Sequence, residues 1–388
     1  MKQIINSILD NDVYALSMQY FVIQHYAEVE SEHEFKNRDL SMKFTEESVA
    51  EIRRQVNLMQ YLKLTNEEYD YLKTISHLPI SYRQYLAAYR FNPNQVKINL
   101  NSDNKLKIHI VGKWRDTILW EVPLMAIISE VYFSMIDTNW TMNNQLELIN
   151  EKAKKLCING CLFADFGTRR RRNFETQEIV VKESCKYSNF VGTSNPYLAM
   201  KYGLTACGTC AHQVISGVAA LESLNHPNKV FMQRWSEIFN GSLGIMLPDT
   251  FGLKSFLKDF DLKNAKLWDG IRHDSGDPYQ FVDKVIEHYK KLRIDPLSKT
   301  IIFSNALDVD TAIDIKEYCE NKIKCSFGIG TNLTNDFMNA VDGSKNKPLN
   351  MVIKLIKVND VNCVKLSDDL GKEIGDKKMI EIMKYIHC

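Results

Sequence analysis

The chain has 388 residues and a mass of 44.9 kDa, enough for two or three domains at about 150 residues each. Hydrophobic residues make up 45% and charged residues 25%, which excludes extensive disorder. Forty-nine basic against 48 acidic side chains leave a net charge of +1, which excludes nucleic-acid or membrane-surface binding driven by bulk charge.

No run approaches the roughly 18 uninterrupted apolar residues of a membrane span. The N-terminal apolar run is broken by Asn6, Asp10, Asn11 and Asp12, which argues against a secretory signal. Nine cysteines are scattered from Cys157 to Cys388, and in a chain this large they need no disulfide framework. A cytoplasmic globular enzyme is expected.

From about residue 10 to 90 the helical period dominates, as where Val49, Ile52, Val56 and Met59 recur at three- and four-residue steps. Residues 96–100 and 106–110 then alternate strictly around the turn residues Asn101 to Asn104, predicting a β-hairpin with one solvated face. Glu121 to Met135 is apolar nearly all round and carries Pro123 near its start, predicting a buried helix.

After about residue 155 short apolar runs occupy 161–166, 190–191, 243–247, 267–271, 300–303 and 324–327. Amphipathic stretches at 211–224, 251–260, 278–292 and 312–319 follow several of them. Strands alternating with helices imply right-handed βαβ units, and this many in so short a stretch favours a closed or nearly closed β/α barrel over an open doubly wound sheet. Residues 351–358 and 361–366, parted by Asn359-Asp360, predict a second hairpin. It is expected to rejoin the N-terminal segment. The expected fold class is α/β: an irregular β/α barrel over 136–344 and a discontinuous α+β domain from 1–135 and 345–388.

The turns after the strands hold the chemistry. They are Phe166-Gly167-Thr168-Arg169-Arg170-Arg171-Arg172, Gly192-Thr193-Ser194-Asn195, Gly208-Thr209-Cys210-Ala211-His212 and Pro248-Asp249-Thr250. Arg272-His273-Asp274-Ser275-Gly276-Asp277, Ser304-Asn305-Ala306-Leu307-Asp308 and Gly328-Ile329-Gly330-Thr331-Asn332 follow. In a parallel barrel these ends open on one face, where active sites sit.

The arginine run offers forked donors for carboxylate or phosphate oxygens, Arg169 above all; the plainer reading is a solvated basic patch. Gly328, Gly330 and Thr331 can cradle a phosphate through backbone amides and a hydroxyl, or form only a tight turn. Asp277 before Pro278 reads as a helix cap, which leaves Arg272 and Asp274 for a diphosphate with its Mg²⁺ or for a sugar. Cys207-x-x-Cys210 has neither a redox nor a zinc context. His212 lies where a strand should pass into a helix, whose N-terminus favours negative charge beside the ring. A neutral imidazole there is a competent nucleophile.

With these blocks in order, the sequence resembles bacterial nicotinate phosphoribosyltransferases. The matching segments are Asp10-Asn11-Asp12-x-Tyr14, Phe91-Asn92-Pro93, Leu119-Trp120-Glu121-Val122-Pro123, Asp165 to Arg170, Gly192 to Asn195 and Gly208-Thr209-x-Ala211-His212. Arg272 to Pro278, Ser326 to Thr331 and Lys365 to Asp368 complete them.

The resemblance implies formation of nicotinate mononucleotide and pyrophosphate from nicotinate and phosphoribosyl pyrophosphate, with ATP hydrolysis and Mg²⁺, in salvage to NAD. It also implies a homodimer with shared active sites, with no nucleic-acid or membrane partner. By the same resemblance His212 is the phosphohistidine. Phe166 and Tyr14 sandwich the pyridine, with Tyr14 supplied by the partner subunit. Arg169 and Arg272 surround the pyridine and phosphoribosyl groups, while Asp274, Ser304, Asn305, Gly328 and Gly330 lie in the segments that hold ribose and phosphates. No metal is expected on protein ligands directly. Nicotinamide-using relatives carry Asp where this chain has Ser194, so Ser194 favours nicotinate. The alternatives are a nicotinamide- or quinolinate-using transferase, or a non-catalytic ligand- or RNA-binding relative.

Overall fold

The computed structural model describes residues 1–39, 41–369 and 373–388. In chain order its strands are β1 (Glu30–Asn37), β2 (Val96–Leu100), β3 (Leu106–Lys113), β4 (Phe163–Asp165), β5 (Phe190–Thr193), β6 (Ile245–Met246) and β7 (Gly270–His273). They continue with β8 (Thr300–Phe303), β9 (Lys324–Ile329), β10 (Phe337–Met338), β11 (Lys345–Asn346), β12 (Met351–Val358) and β13 (Val361–Asn362).

Six strands form a parallel sheet in the order β5-β4-β9-β8-β7-β6, with helices in the crossovers. Among the described residues β5 and β6 do not pair, so this is an irregular barrel open between its first and last strands. A second, antiparallel sheet runs β13-β12-β1-β3-β2. Strands from both ends of the chain thus meet in one layer, with β1 between β12 and β3.

The 96–110 hairpin forms as expected, in strict register from Val96↔Ile110 to Leu100↔Leu106. Strand β1 falls inside the stretch whose period reads as helical. Its inward positions are Ser31, His33 and Phe35, two of them polar, so hydrophobic alternation hides the strand. The second hairpin is shorter than expected. Pairing ends at Asn362, and the chain leaves the sheet toward the barrel mouth, where Leu366 N donates to the Thr250 carbonyl at 2.8 Å. Residues 267–271 also shift: Leu262–Leu267 is helical and β7 begins at Gly270.

The helix Glu121–Met135 lies in the core between the two sheets' segments, buried on nearly every side. Together with the turns before it, Trp114–Met135 is long and apolar enough to cross a membrane, but 83% of its most apolar window is buried inside the fold. It is a core helix.

The arginine run splits by role. Arg171 is wholly buried; it donates to Asp10 at 2.7 and 2.9 Å and to Glu130 at 2.9 Å. This clamp joins the N-terminal segment to the core helix and the barrel rim, and a buried ion pair of this kind specifies placement more than it stabilises. Arg172 stacks 3.6 Å from the Phe133 centroid and 4.4 Å from that of Phe337. Neither side chain is available to a ligand, which removes the solvated-patch and RNA-binding readings of the run.

Candidate active site

One cleft of about 480 Å³ opens at the C-terminal ends of the parallel strands. It is lined by Tyr14, Phe166, Arg169, Ser194, His212, Arg272, Asp274, Ser304, Asn305, Gly328, Gly330 and Thr331. The candidate catalytic and substrate-binding residues therefore meet at one rim: most end or follow strands of the same sheet, His212 follows an isolated bridge between Thr193 and Ala206, and Tyr14 belongs to the N-terminal helix.

His212 is the first residue of the helix His212–Leu221 and is almost fully buried. Its Nδ1 lies 3.0 Å from Thr250 Oγ1 and its Nε2 3.2 Å from Asp274 Oδ2. Lys365 Nζ sits 2.9 Å from the same Nε2 and 3.0 Å from Asp249 Oδ2. Burial pushes the imidazole down to about 4, so it is neutral near pH 7.

Burial opposes ionisation of Asp274, but Arg272 at 3.1 Å, the His212 hydrogen bond and Lys365 together outweigh it and hold the carboxyl well below the ordinary range. Ser304 donates to the same carboxylate at 2.7 Å. Arg272 is anchored in turn by Thr209 Oγ1 at 2.9 Å and the Cys210 carbonyl at 3.2 Å.

His212, Asp249 and Asp274 bring ligand atoms within 4.8 Å of one another. The Lys365 ammonium already bonds to two of the three, and a cation among them would have to displace it. The donor set does not suit a directly ligated metal.

The other end of the cleft is aromatic. Phe166 leaves β4 and its ring lies where a Cβ on Gly328 would meet it at 2.3 Å. Gly328 is thus bare to seat this ring, a packing reason distinct from the phosphate cradle expected of the Gly-x-Gly turn. Tyr14 comes from the same chain, with the Arg169 guanidinium 5.9 Å from its ring centroid. This corrects the expectation that the partner subunit supplies Tyr14. The loop at Gly208 makes that placement possible, since a Cβ there would meet Val13 Cγ1 at 2.6 Å.

Arg169 donates to Glu121 Oε1 at 3.1 Å. The Glu121 carboxylate is itself held by Gln213 at 3.0 Å. Ser194 donates its hydroxyl to Asp12, so the neutrality of residue 194 does not leave this end free of carboxylate. The plain electrostatic argument drawn from Ser194 needs that correction.

Asp12, Glu121, Asp249, Thr250 and Lys365 are functional neighbours that sequence reasoning gave no role. All lie in segments it had marked, but nothing in a linear pattern reveals which turn faces which. Cys207 and Cys210 are free thiols, pushed up by burial to about 11 and about 12, which suits no redox use.

Residues 161–387 match the model of the nicotinate phosphoribosyltransferase family, and residues 9–129 match that of its N-terminal domain. A nicotinate phosphoribosyltransferase of Methanosarcina mazei is 45% identical over 401 residues, covering 98% of each chain. That of Saccharomyces cerevisiae is 37% identical over 98% of this chain and 94% of its own. The crystal structure of nicotinate phosphoribosyltransferase from Porphyromonas gingivalis superposes with a TM-score of 0.95 at 35% identity, over 99% of this chain and 100% of that one. With this likeness end to end and the expected residues gathered at one rim, the chain belongs to the nicotinate phosphoribosyltransferase family.

Proposed function

We infer that this cleft is where the chain performs its family's reaction, a step of NAD biosynthesis: nicotinate and phosphoribosyl pyrophosphate give nicotinate mononucleotide and pyrophosphate. The pyridine lies between Tyr14 and Phe166, a flat ring against aromatic faces, with its carboxylate toward Arg169. Arg272, Asp274, Ser304 and Asn305 hold the ribose and its phosphates, with Gly330 and Thr331 at the far wall. Displacement at the ribose C1 carbon builds positive charge on the sugar beside the ionised Asp274, and negative charge on the departing pyrophosphate. Mg²⁺ carried on the phosphates would supply charge neutralisation of that leaving group, with Arg272 beside it on the protein's side.

ATP acts through His212. With the proton on Nδ1 and shared with Thr250, the Nε2 lone pair attacks the γ-phosphorus. The N–P bond forms as the bond to the bridging oxygen breaks, and ADP leaves. The phosphohistidine then biases substrate and product affinities before water removes it, so coupling is thermodynamic. The observation that carries this reading is the neutral, buried imidazole of His212 sharing one cleft with the Tyr14–Phe166 ring site. The test is incubation with γ-labelled ATP and phosphoribosyl pyrophosphate, with and without nicotinate. Acid-labile label is expected on the wild type, discharged as mononucleotide forms, and absent from His212→Asn. Equal labelling of both proteins defeats the assignment.

We further propose a cytoplasmic enzyme whose two structural units are 1–135 with 345–388, and 136–344. A homodimer is proposed in solution; since Tyr14 serves its own chain, a dissociated subunit retains a complete ring site.

A further inference from the structure

The ring end of the cleft has a charge imbalance. One guanidinium, Arg169, stands between two carboxylates: Glu121 at 3.1 Å and Asp12, whose Oδ2 is 4.0 Å from Nε. Of the other arginines lining the cleft, Arg38 stands near Arg170, and the remaining two are committed elsewhere. Arg272 is paired with Asp274, and Arg170 gives Nε and Nη2 to the Met351 carbonyl at 3.0 and 2.7 Å. A nicotinate carboxylate arriving at Arg169 is therefore the third anion around one cation, in a site where like charges are poorly screened. Something must enter with it.

Asp12 is the group placed to receive a proton. It is 2% exposed, lines the cleft and lies two residues before the ring-stacking Tyr14. Its charge is supported by hydroxyls, one offset guanidinium and the N-terminus of the helix Val13–Tyr26, which it caps without a side-chain hydrogen bond. Ser194 donates to Oδ1, Thr168 is a second hydroxyl neighbour, and Arg169 touches it only at the 4.0 Å limit. The remaining groups facing it are Glu121, the Tyr14 phenol and the buried Asp165, all of which oppose a negative charge. Burial, ahead of these neighbours, already raises its carboxyl above the ordinary value. Lys354 faces Glu121 and Arg169 from β12, but burial pushes it down to about 7, so it is only partly charged at neutral pH.

We propose that Asp12 is a specificity residue: as nicotinate binds, Asp12 takes one proton from solvent and shares it with the ring carboxylate. The proposal rests on the ring site inferred above. When ionised, Asp12 is an acceptor suited to an amide NH₂; when protonated, it is a donor suited to a carboxylate. Acid over amide is then a preference set partly by pH.

The sign follows from linkage. Binding that takes up one proton weakens about tenfold per pH unit as pH rises, until the bound-state pKa is passed. Titration calorimetry of the whole enzyme with nicotinate, in buffers of different ionisation heat near pH 7.5, is expected to show close to one proton taken up. Nicotinamide is expected to show none.

Asp12→Asn, a fixed neutral mimic of the protonated acid, is expected to bind nicotinate with no uptake and with a KM flat in pH. Ser194→Ala removes a hydrogen bond to the ionised form and is expected to carry tight nicotinate binding to higher pH. Absence of uptake in the wild type, or uptake unchanged in Asp12→Asn, overturns the proposal. Arg169→Lys separates the two readings: if it raises the nicotinate KM while the wild type shows no uptake, the ring site stands and only the role of Asp12 fails. If Arg169→Lys leaves that KM unchanged, the ring site itself is misplaced.

Discussion

Ser194 illustrates how one side chain acts through its neighbour. Its hydroxyl is spent on Asp12, and the pair sits beside the Arg169 guanidinium. Replacing the serine by aspartate puts a second carboxylate against the first and removes the donor that steadies it, a like-charge contact that costs several kcal/mol unless one acid protonates. Ser194→Asp is expected to raise the nicotinate KM by about tenfold or more while the phosphoribosyl pyrophosphate KM moves much less. Steady-state kinetics with each substrate varied in turn checks this, and an equal change in both constants would contradict it. The residue type was visible in the sequence, where Gly192-Thr193-Ser194-Asn195 stood out as a strand-end turn. Its partner was not, because Asp12 lies 182 positions away and only the docking of the N-terminal helix brings the two together.

Between elements, the junction of β9 with the turn after β4 carries the proposed ring site. Phe166 N donates to the Ile329 carbonyl at 2.9 Å, fixing the turn to the neighbouring strand. The bare Gly328 on that strand leaves room for the ring. A methyl group at position 328 would overlap ring carbons by more than an ångström, and a packed interior yields poorly to such overlap. Gly328→Ala is expected to displace Phe166, raising the nicotinate KM several-fold and costing about 1–3 kcal/mol of stability. Paired kinetics and denaturant melts check both effects. The Gly-x-Gly motif was legible as a strand-end turn, but its purpose was not: a tight turn, a phosphate cradle and a ring seat look alike in one dimension. Strand β1 was missed for a related reason. A central strand whose inward residues are Ser31, His33 and Phe35 lacks the apolar alternation that betrays a strand, since its inward hydroxyl and imidazole bond Thr117 and Gln213 inside the fold.

For the molecule as a whole, buried histidines set its response to acid. Burial pushes His33, His77 and His212 each down to about 4, against an unfolded value near 6.5. The unfolded chain therefore binds more protons than the folded one between those limits. Their stabilising contribution is complete above about pH 6.5 and is lost as pH falls toward 4, about 2 kcal/mol for each near pH 5. The melting temperature is expected to drop by several degrees from pH 7 to pH 5, and His77→Gln is expected to lessen that drop. Thermal melts across this range test it, and a flat profile would show that other groups compensate. The alternation of strands and helices, the hairpins and the inventory of strand-end turns were legible in one dimension, because periodicity and turn chemistry are local properties of a chain. The sequence also carried enough ordered motifs to identify the family. Only the folded chain places Tyr14 in its own cleft, gives two of four consecutive arginines structural partners, and sets Asp12 and Glu121 beside Arg169 and Lys365 beside His212. Those outcomes depend on which distant segments share a buried, weakly screened space, and neither spacing nor composition encodes that.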